Sequence, residues 1–196
     1  MGTPTPPLAP HKRSRKAAAM SILIRDSRAT DIDGIAAIYQ HAVRTGTASF
    51  ELDPPDRAEM AARRNTVVIN GYPYLVAEQN GTVAGYAYAS TYRPRPGYRF
   101  SVENSVYVAP AFQGHGVGRA LLERLVDRCE ADGYRLIVAV IGDTANHASI
   151  ALHRACGFLH VGTLPGVGWK FNQWLDSVMM VRALGLGQTA PAPEGR

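Results

Sequence analysis

Alternating apolar runs and stretches of helical period take turns along this chain between residues 22 and 184. Ile22–Asp26 reads as a short strand. Thr30-Asp31 then cap a helix whose apolar positions Ile32, Ile35, Ile38, Tyr39 and Ala42 recur at helical spacing. Phe50–Pro55 is a loop, and a second helix runs from Asp56 to about Val68. Tyr74–Glu78 and Val83–Ser90 pair around Asn80-Gly81, a dipeptide that suits a two-residue hairpin turn. A loop rich in Arg, Pro and Tyr (92–99) leads to a strand over Ser101–Val108. A helix from about Gly116 to Asp132, a strand at Arg135–Val140 and a helix from Asn146 to Cys156 follow, with Gly157 at the stop of the last. Two more strands lie near Phe158–Leu164 and Ser177–Leu184. Strands interleaved with helices in this way imply an α/β domain: a mixed sheet of about seven strands with helices on both faces.

The flanks change the picture little. Residues 1–20 are rich in Pro and basic residues and read as a disordered leader, 21–185 as the folded domain, and 186–196 as a second loose tail. Met20 stands directly before the first apolar strand, as a natural start would, or the leader is an upstream extension. The net charge of +5 sits in that leader: without Lys12, Arg13, Arg15 and Lys16 it falls to +1. A nearly neutral domain has no basic face for a phosphate backbone, so no nucleic-acid partner is expected. No apolar run approaches the ~20 residues that span a bilayer, and the N-terminus lacks an apolar signal segment. Cys129 and Cys156 have neither zinc nor redox spacing and read as buried structural thiols of a cytoplasmic protein. His41, His115, His147 and His160 show no metal spacing, and no metal is expected.

The segment that carries chemistry is Val106-Tyr107-Val108-Ala109-Pro110-Ala111-Phe112-Gln113-Gly114-His115-Gly116-Val117-Gly118-Arg119. An apolar strand ends at Pro110 and a loop with three glycines opens a helix. Glycines let backbone approach a ligand, and a helix start presents unpaired N–H groups and a positive dipole end. The combination suits a pyrophosphate. A P-loop is excluded, because Arg119-Ala120 follow Gly118 where Lys-Ser/Thr would stand. A Rossmann first turn is excluded by position, after three or four strands.

With Gln113-x-x-Gly116-x-Gly118 after its strand, and Asn146-His147-Ala148-Ser149 running on to Gly157-Phe158, residues 21–184 resemble the GNAT N-acetyltransferase superfamily. Within it the chain looks like the phosphinothricin and methionine sulfoximine N-acetyltransferases. The matching stretches are Thr47–Glu51, Val102–Val108, Val138–Ile141, Gly168–Phe171 and Trp174–Asp176. The resemblance implies the GNAT fold, with a mostly antiparallel twisted sheet, and acetyl-CoA as co-substrate. It also implies a small amine as acceptor, and a homodimer whose substrate loop or last hairpin lies near the interface. It leaves open whether the acceptor is an antibiotic or a metabolite resembling methionine sulfoximine.

By the same resemblance the strand Val106, Tyr107, Val108 would take the pantetheine arm like an added strand, through the main chain of Val106 and Val108. Gln113, Gly114, His115, Gly116, Val117, Gly118 and Arg119 would surround the pyrophosphate, and Asn146, with Ser149 in support, would meet a pantetheine amide. Arg119 read plainly is a solvated helix residue, and Asn146 a simple N-cap. Alternation puts Glu103, Ser105 and Tyr107 on one face of their strand and Asn104, Val106 and Val108 on the other. An ammonium is not a nucleophile, so a carboxylate must hold it and take its proton; Glu103 is the candidate. His153 stands where many members carry tyrosine near the CoA sulfur, and an imidazole there suits protonation of the leaving thiolate or service as a second base. Phe50 would wall the acceptor pocket, Arg93, Arg95, Tyr98 and Arg99 would grip an anionic acceptor, and Lys170 would close it from the last hairpin.

Two other functions fit parts of this pattern. One is a protein N-terminal or lysine acetyltransferase, which needs an open groove in place of an Arg- and Tyr-rich loop over a small pocket. The other is a non-catalytic acyl-CoA sensor, against which Glu103 and His153 argue.

Overall fold

The structure, a computed structural model, describes residue 2 and residues 22–192, so the expectation for the basic leader falls outside the described residues. Seven strands make one sheet in the order β1-β2-β3-β4-β5-β7-β6. They are β1 (Leu23–Asp26), β2 (Tyr74–Gln79), β3 (Thr82–Thr91), β4 (Ser101–Val108), β5 (Leu136–Gly142), β6 (Leu159–Lys170) and β7 (Gln173–Ala183). Every neighbouring pair is antiparallel except β4 and β5, which run parallel. Helices α1 (Ile32–Thr45) and α2 (Arg57–Ile69) cover one face, and α3 (Val117–Ala131) and α4 (His147–Ala155) the other.

The segment Ala84-Gly85-Tyr86-Ala87-Tyr88-Ala89 of β3 shows why the two layers differ. Its small side chains lie under α3 with Leu121, Leu122 and Leu125, and a Cβ on Gly85 would come within 3.2 Å of Val117 and 3.1 Å of Leu121. Its tyrosines face α1, where Tyr39, Tyr74, Tyr86, Tyr88 and Tyr107 form a continuous stack with ring centroids 5.0–6.4 Å apart. A flat small-residue face lets a helix sit close, and an aromatic face fills the wider gap on the other side.

Two expectations change. Asp31 does not cap α1 through its side chain: its carboxylate takes two bonds from the Arg25 guanidinium, both 2.8 Å, and one from the Arg28 N–H. That pairing ties the helix start to β1 and holds the carboxyl below its usual range. The last two strands are longer than the pattern suggested, meeting at a Phe171-Asn172 turn whose residues have φ of 51° and 57°. The expected strand ended near Leu164, whereas the ladder runs on past Pro165 and Gly166 through Gly168 with a register shift between Leu164 and Gly168. After β7, the Gly187 N–H donates to the Leu184 carbonyl and the Thr189 N–H to that of Leu186.

Candidate active site

The parallel pair is short. Residues Ser101–Asn104 of β4 oppose Leu136–Ala139 of β5, and pairing stops there. Beyond it β4 stays with β3 as far as Val108, while β5 stays with β7 as far as Gly142. The sheet therefore splits into a wedge whose apex is Asn104 and Ala139. Along one side of the wedge, Ser105–Val108 present backbone groups that no strand pairs, which is what an extended amide-bearing ligand requires.

A cleft of about 660 Å³ runs from this edge to the start of α3. Gly114 and Gly116 have φ of 77° and 81°, and a Cβ on either would meet open space. Gly116 is the residue before α3, so the loop and the first helical N–H groups form a cradle for an anion. The other expected residues are placed less uniformly. Val106, Tyr107, Val108, Gln113, Val117, Gly118 and Arg119 all line the cleft. Gln113, however, turns its Nε2 back to the Val108 carbonyl at 3.2 Å, and Arg119 donates to Glu123 at 2.7 Å. The Val117 side chain is in the core, so its contribution is main chain. A Cβ on Gly118 would lie 3.2 Å from Leu152 and 3.4 Å from Val108; this glycine sets the packing of α3 on α4 and β4. His115 is exposed and does not line the cleft.

At the apex lies a pocket of about 250 Å³ that Glu103, Asn104, Asn146, Ser149, His153 and Phe50 share. Burial raises the Glu103 pKa above the ordinary carboxylate value, and the Arg93 charge partly offsets it. His153 is 2% exposed, and burial lowers its pKa. Its Nδ1 is 2.8 Å from the Ser149 carbonyl oxygen and its Nε2 is 3.0 Å from Asn104 Nδ2. Asn146 caps α4 by accepting from Ser149 N–H at 3.2 Å, which leaves its NH₂ end as the part able to meet a ligand amide. The two sequence readings of Asn146 are thus compatible.

Phe50 closes the acceptor side. A Cβ on Gly168 would stand 2.6 Å from its ring, and one on Gly142 would stand 2.9 Å from it, so the ring is held in a slot between two bare backbones. The loop that carries it is tied at several points. Ser49 Oγ lies 3.0 Å from the Tyr39 hydroxyl, which also donates to Glu51 at 2.9 Å. Lys170 is buried and donates to the carbonyls of Gly46 and Ser49 at 2.9 and 2.7 Å. Lys170 therefore anchors the wall and is not among the residues lining the pocket. Arg95, Tyr98 and Arg99 are also outside the lining: Arg99 lies over the Phe100 ring, Tyr98 meets Tyr92 edge-on, and all are exposed. Arg93, over the Tyr92 ring, is the loop arginine whose charge reaches Glu103.

Sequence reading missed Asn104, Gly142 and Ser177 among the pocket residues. For Asn104 a signal existed, an amide on the apolar strand face of Val102, Val106 and Val108. For Gly142 and Ser177 there was none, because their place depends on how β5 and β7 pair. No group of three or more His, Cys, Asp or Glu that could hold a metal occurs among the described residues, and no helix among them is long and apolar enough to cross a membrane.

Comparison with known proteins agrees with this geometry. The acetyltransferase (GNAT) family pattern matches residues 35–158. A phosphinothricin N-acetyltransferase of Alcaligenes faecalis is 50% identical over 186 residues, 95% of this chain and 94% of that protein. An L-methionine sulfoximine/L-methionine sulfone acetyltransferase of Pseudomonas aeruginosa is 44% identical over 175 residues, 89% of this chain and all of that one. A crystal structure of a GNAT superfamily phosphinothricin acetyltransferase from Sinorhizobium meliloti in complex with acetyl-CoA superposes with a TM-score of 0.86 at 47% identity, covering 90% of this chain and 95% of that one. A sheet that parts into a wedge, a glycine cradle at a helix start and these relatives together place the chain in the GNAT acetyltransferase family.

Proposed function

We propose that the chain transfers the acetyl group of acetyl-CoA to the amino group of a small amino acid of the phosphinothricin or methionine sulfoximine type, by direct attack in a ternary complex. The observation that carries this is the meeting of two cavities at one apex: the CoA-shaped cleft ends where Glu103 and the pocket walled by Phe50 begin. The named relatives support the choice of acceptor. The pantetheine arm lies along Ser105–Val108, and main-chain N–H groups of that edge polarise the thioester carbonyl. Glu103 holds the acceptor ammonium and takes its proton, and burial makes it a stronger base than an ordinary carboxylate. The amine attacks the thioester carbon, the C–S bond breaks, and CoA leaves as the thiol. Arg93 is exposed and outside the pocket lining, but its charge reaches Glu103, which makes it the loop arginine best placed to meet the acceptor's acidic group.

We also infer that two copies pair through the last hairpin. Leu159, Val161, Leu164, Val167, Trp169 and Trp174 are all exposed along the edge strand β6 and its partner β7, more apolar surface than an isolated edge normally leaves in water. The two cysteines are buried as thiols, which supports work in the cytoplasm.

The test is thiol release from acetyl-CoA with phosphinothricin, methionine sulfoximine, ordinary amino acids, polyamines and an N-terminal peptide. Turnover confined to the first two supports the reading. Turnover on peptide or polyamine discards the acceptor half, and binding of acetyl-CoA with no turnover at all favours a sensor.

A further inference from the structure

Two buried groups at the apex, Asn104 and His153, have no task in the reaction so far. Asn104 is 6% exposed and sits on the face of β4 opposite Glu103, yet both line the same pocket. Its Nδ2 meets His153 Nε2 at 3.0 Å, and His153 Nδ1 meets the Ser149 carbonyl at 2.8 Å. A carbonyl oxygen only accepts, so Nδ1 carries the imidazole hydrogen and Nε2 offers a lone pair. The Asn104 N–H lies on that lone pair. Asn104 Oδ1 is then a buried oxygen with no hydrogen-bond partner. Buried polar groups in folded proteins are paired as a rule, so an unpaired one at the reaction apex calls for a reason.

We propose that Asn104 is a two-position partner of His153, a positioning residue that lets a buried imidazole carry a proton during acetyl transfer. With His153 neutral, Asn104 donates through Nδ2. When Nε2 receives a proton, the amide turns about its Cβ–Cγ bond and Oδ1 accepts from the new Nε2–H. Either orientation leaves one end of the amide unpaired, so the surrounding wall favours neither and the charge on the imidazole decides. The groups around the ring agree with this. β4 supplies an amide, Phe158 packs edge-on at 5.0 Å, and the titratable groups sharing the pocket are Glu103 and Tyr107, whose hydroxyl burial keeps protonated. The proton balance is complete within the reaction proposed above, on which this inference rests. Attack leaves the acceptor nitrogen with a surplus proton, which passes to Nε2 as the Asn104 amide swings off that lone pair, before Oδ1 closes on the new N–H. The C–S bond breaks with its electron pair on sulfur, the Asn104 amide swings off again, and the thiolate takes the proton from Nε2, giving the amide and CoA thiol.

The test begins with the unaltered protein bound to CoA and labelled with ¹⁵N at His and Asn. At high pH the expected signals are an Nδ1–H tautomer of His153 and a ¹⁵N–¹⁵N coupling across the Nδ2–H···Nε2 bond. On acidification that coupling disappears and a slowly exchanging Nε2–H appears. An Nε2–H tautomer at high pH, or an Nε2–H that exchanges freely after protonation, overturns the proposal. Variants then separate switching from packing. Asn104→Asp accepts but cannot donate, and should hold His153 as imidazolium and lower kcat at least tenfold. Asn104→Leu does neither and should lower kcat as far. Both should keep the Kd for acetyl-CoA within twofold. A kcat within twofold of the parent in either folded variant overturns it. Because the spectroscopic arm needs no acceptor, a wrong acceptor assignment leaves those signals in place, whereas a wrong role for Asn104 does not.

Discussion

Glu103 and Asn104 are neighbours in the chain that reach one pocket from opposite faces of β4, because the strand parts from β5 directly after them. Elsewhere in a sheet, adjacent side chains serve different compartments. At a split edge the two faces become continuous, and a base and its proton-handling partners can be supplied by consecutive residues.

Replacing Glu103 by Gln should lower kcat/KM for the acceptor by about 10²-fold or more, the usual scale for loss of a general base, with acetyl-CoA affinity unchanged. Burial raises the Glu103 pKa, so the acid limb of the pH–rate profile should lie above the ordinary carboxylate range. The base must be ionised, so rate rises with pH through that limb, and the limb vanishes in Glu103→Gln. Arg93 lowers this pKa, so Arg93→Met should move the limb to higher pH while weakening acceptor binding. A limb that does not move in Arg93→Met removes the electrostatic link.

If the pocket takes the acceptor as proposed, the Phe50 ring lining it sets the length that fits. Phe50→Ala should extend turnover to amino acids with bulkier side chains and raise KM for the small ones. Gly168→Ala places a methyl 2.6 Å from the Phe50 ring and should displace it with similar consequences. Competition assays across an acceptor series read this directly; an unchanged series in both variants rules out Phe50 as the gauge.

Gly116→Ala should damage the CoA side alone. At φ of 81° a side chain costs about 1–2 kcal/mol of backbone strain, and its Cβ would project into the open space of the cradle. KM for acetyl-CoA should rise roughly 10-fold, the scale of 1.4 kcal/mol, while relative preference among acceptors stays fixed.

Lys170→Met strips the carbonyls of Gly46 and Ser49 of their donor. An unsatisfied buried group costs about 1–3 kcal/mol, and in a chain of this size each kcal/mol is roughly 2–4 °C of melting temperature. Calorimetry should show a loss of several degrees, and kinetics a higher acceptor KM with acetyl-CoA binding intact. A raised acceptor KM with an unchanged melting temperature would mean that Lys170 meets the acceptor itself.

The order of elements was legible because each has a local cause. Asn80-Gly81 turns between β2 and β3, with φ of 52° and 76°, and Gly157 ends α4 with φ of 81°. The glycine cradle was legible for the same reason, since Gly114 and Gly116 act through their own backbone. What the sequence hid was set by distant partners. Gly118 looks like a third phosphate glycine and in fact makes room for Leu152. Lys170 looks like a charge for the acceptor and is spent on a loop more than a hundred residues earlier. Pro165, Gly166 and Gly168 look like the end of a strand, and the β6–β7 ladder carries through them because a bulge takes up the irregularity.

The strand order sets a timetable for synthesis. A chain made from its N-terminus has the cleft residues, through Leu152, before β7 exists. Until β7 arrives, the long edge of β5 has no partner, and β6, which joins the sheet only through β7, has no seat from which Lys170 could hold the loop bearing Phe50. A nascent chain halted before Gln173 would thus own a place for the acetyl donor, an exposed strand edge prone to stray pairing, and an acceptor wall still unanchored. Selectivity for the acceptor is the last property the growing polypeptide acquires.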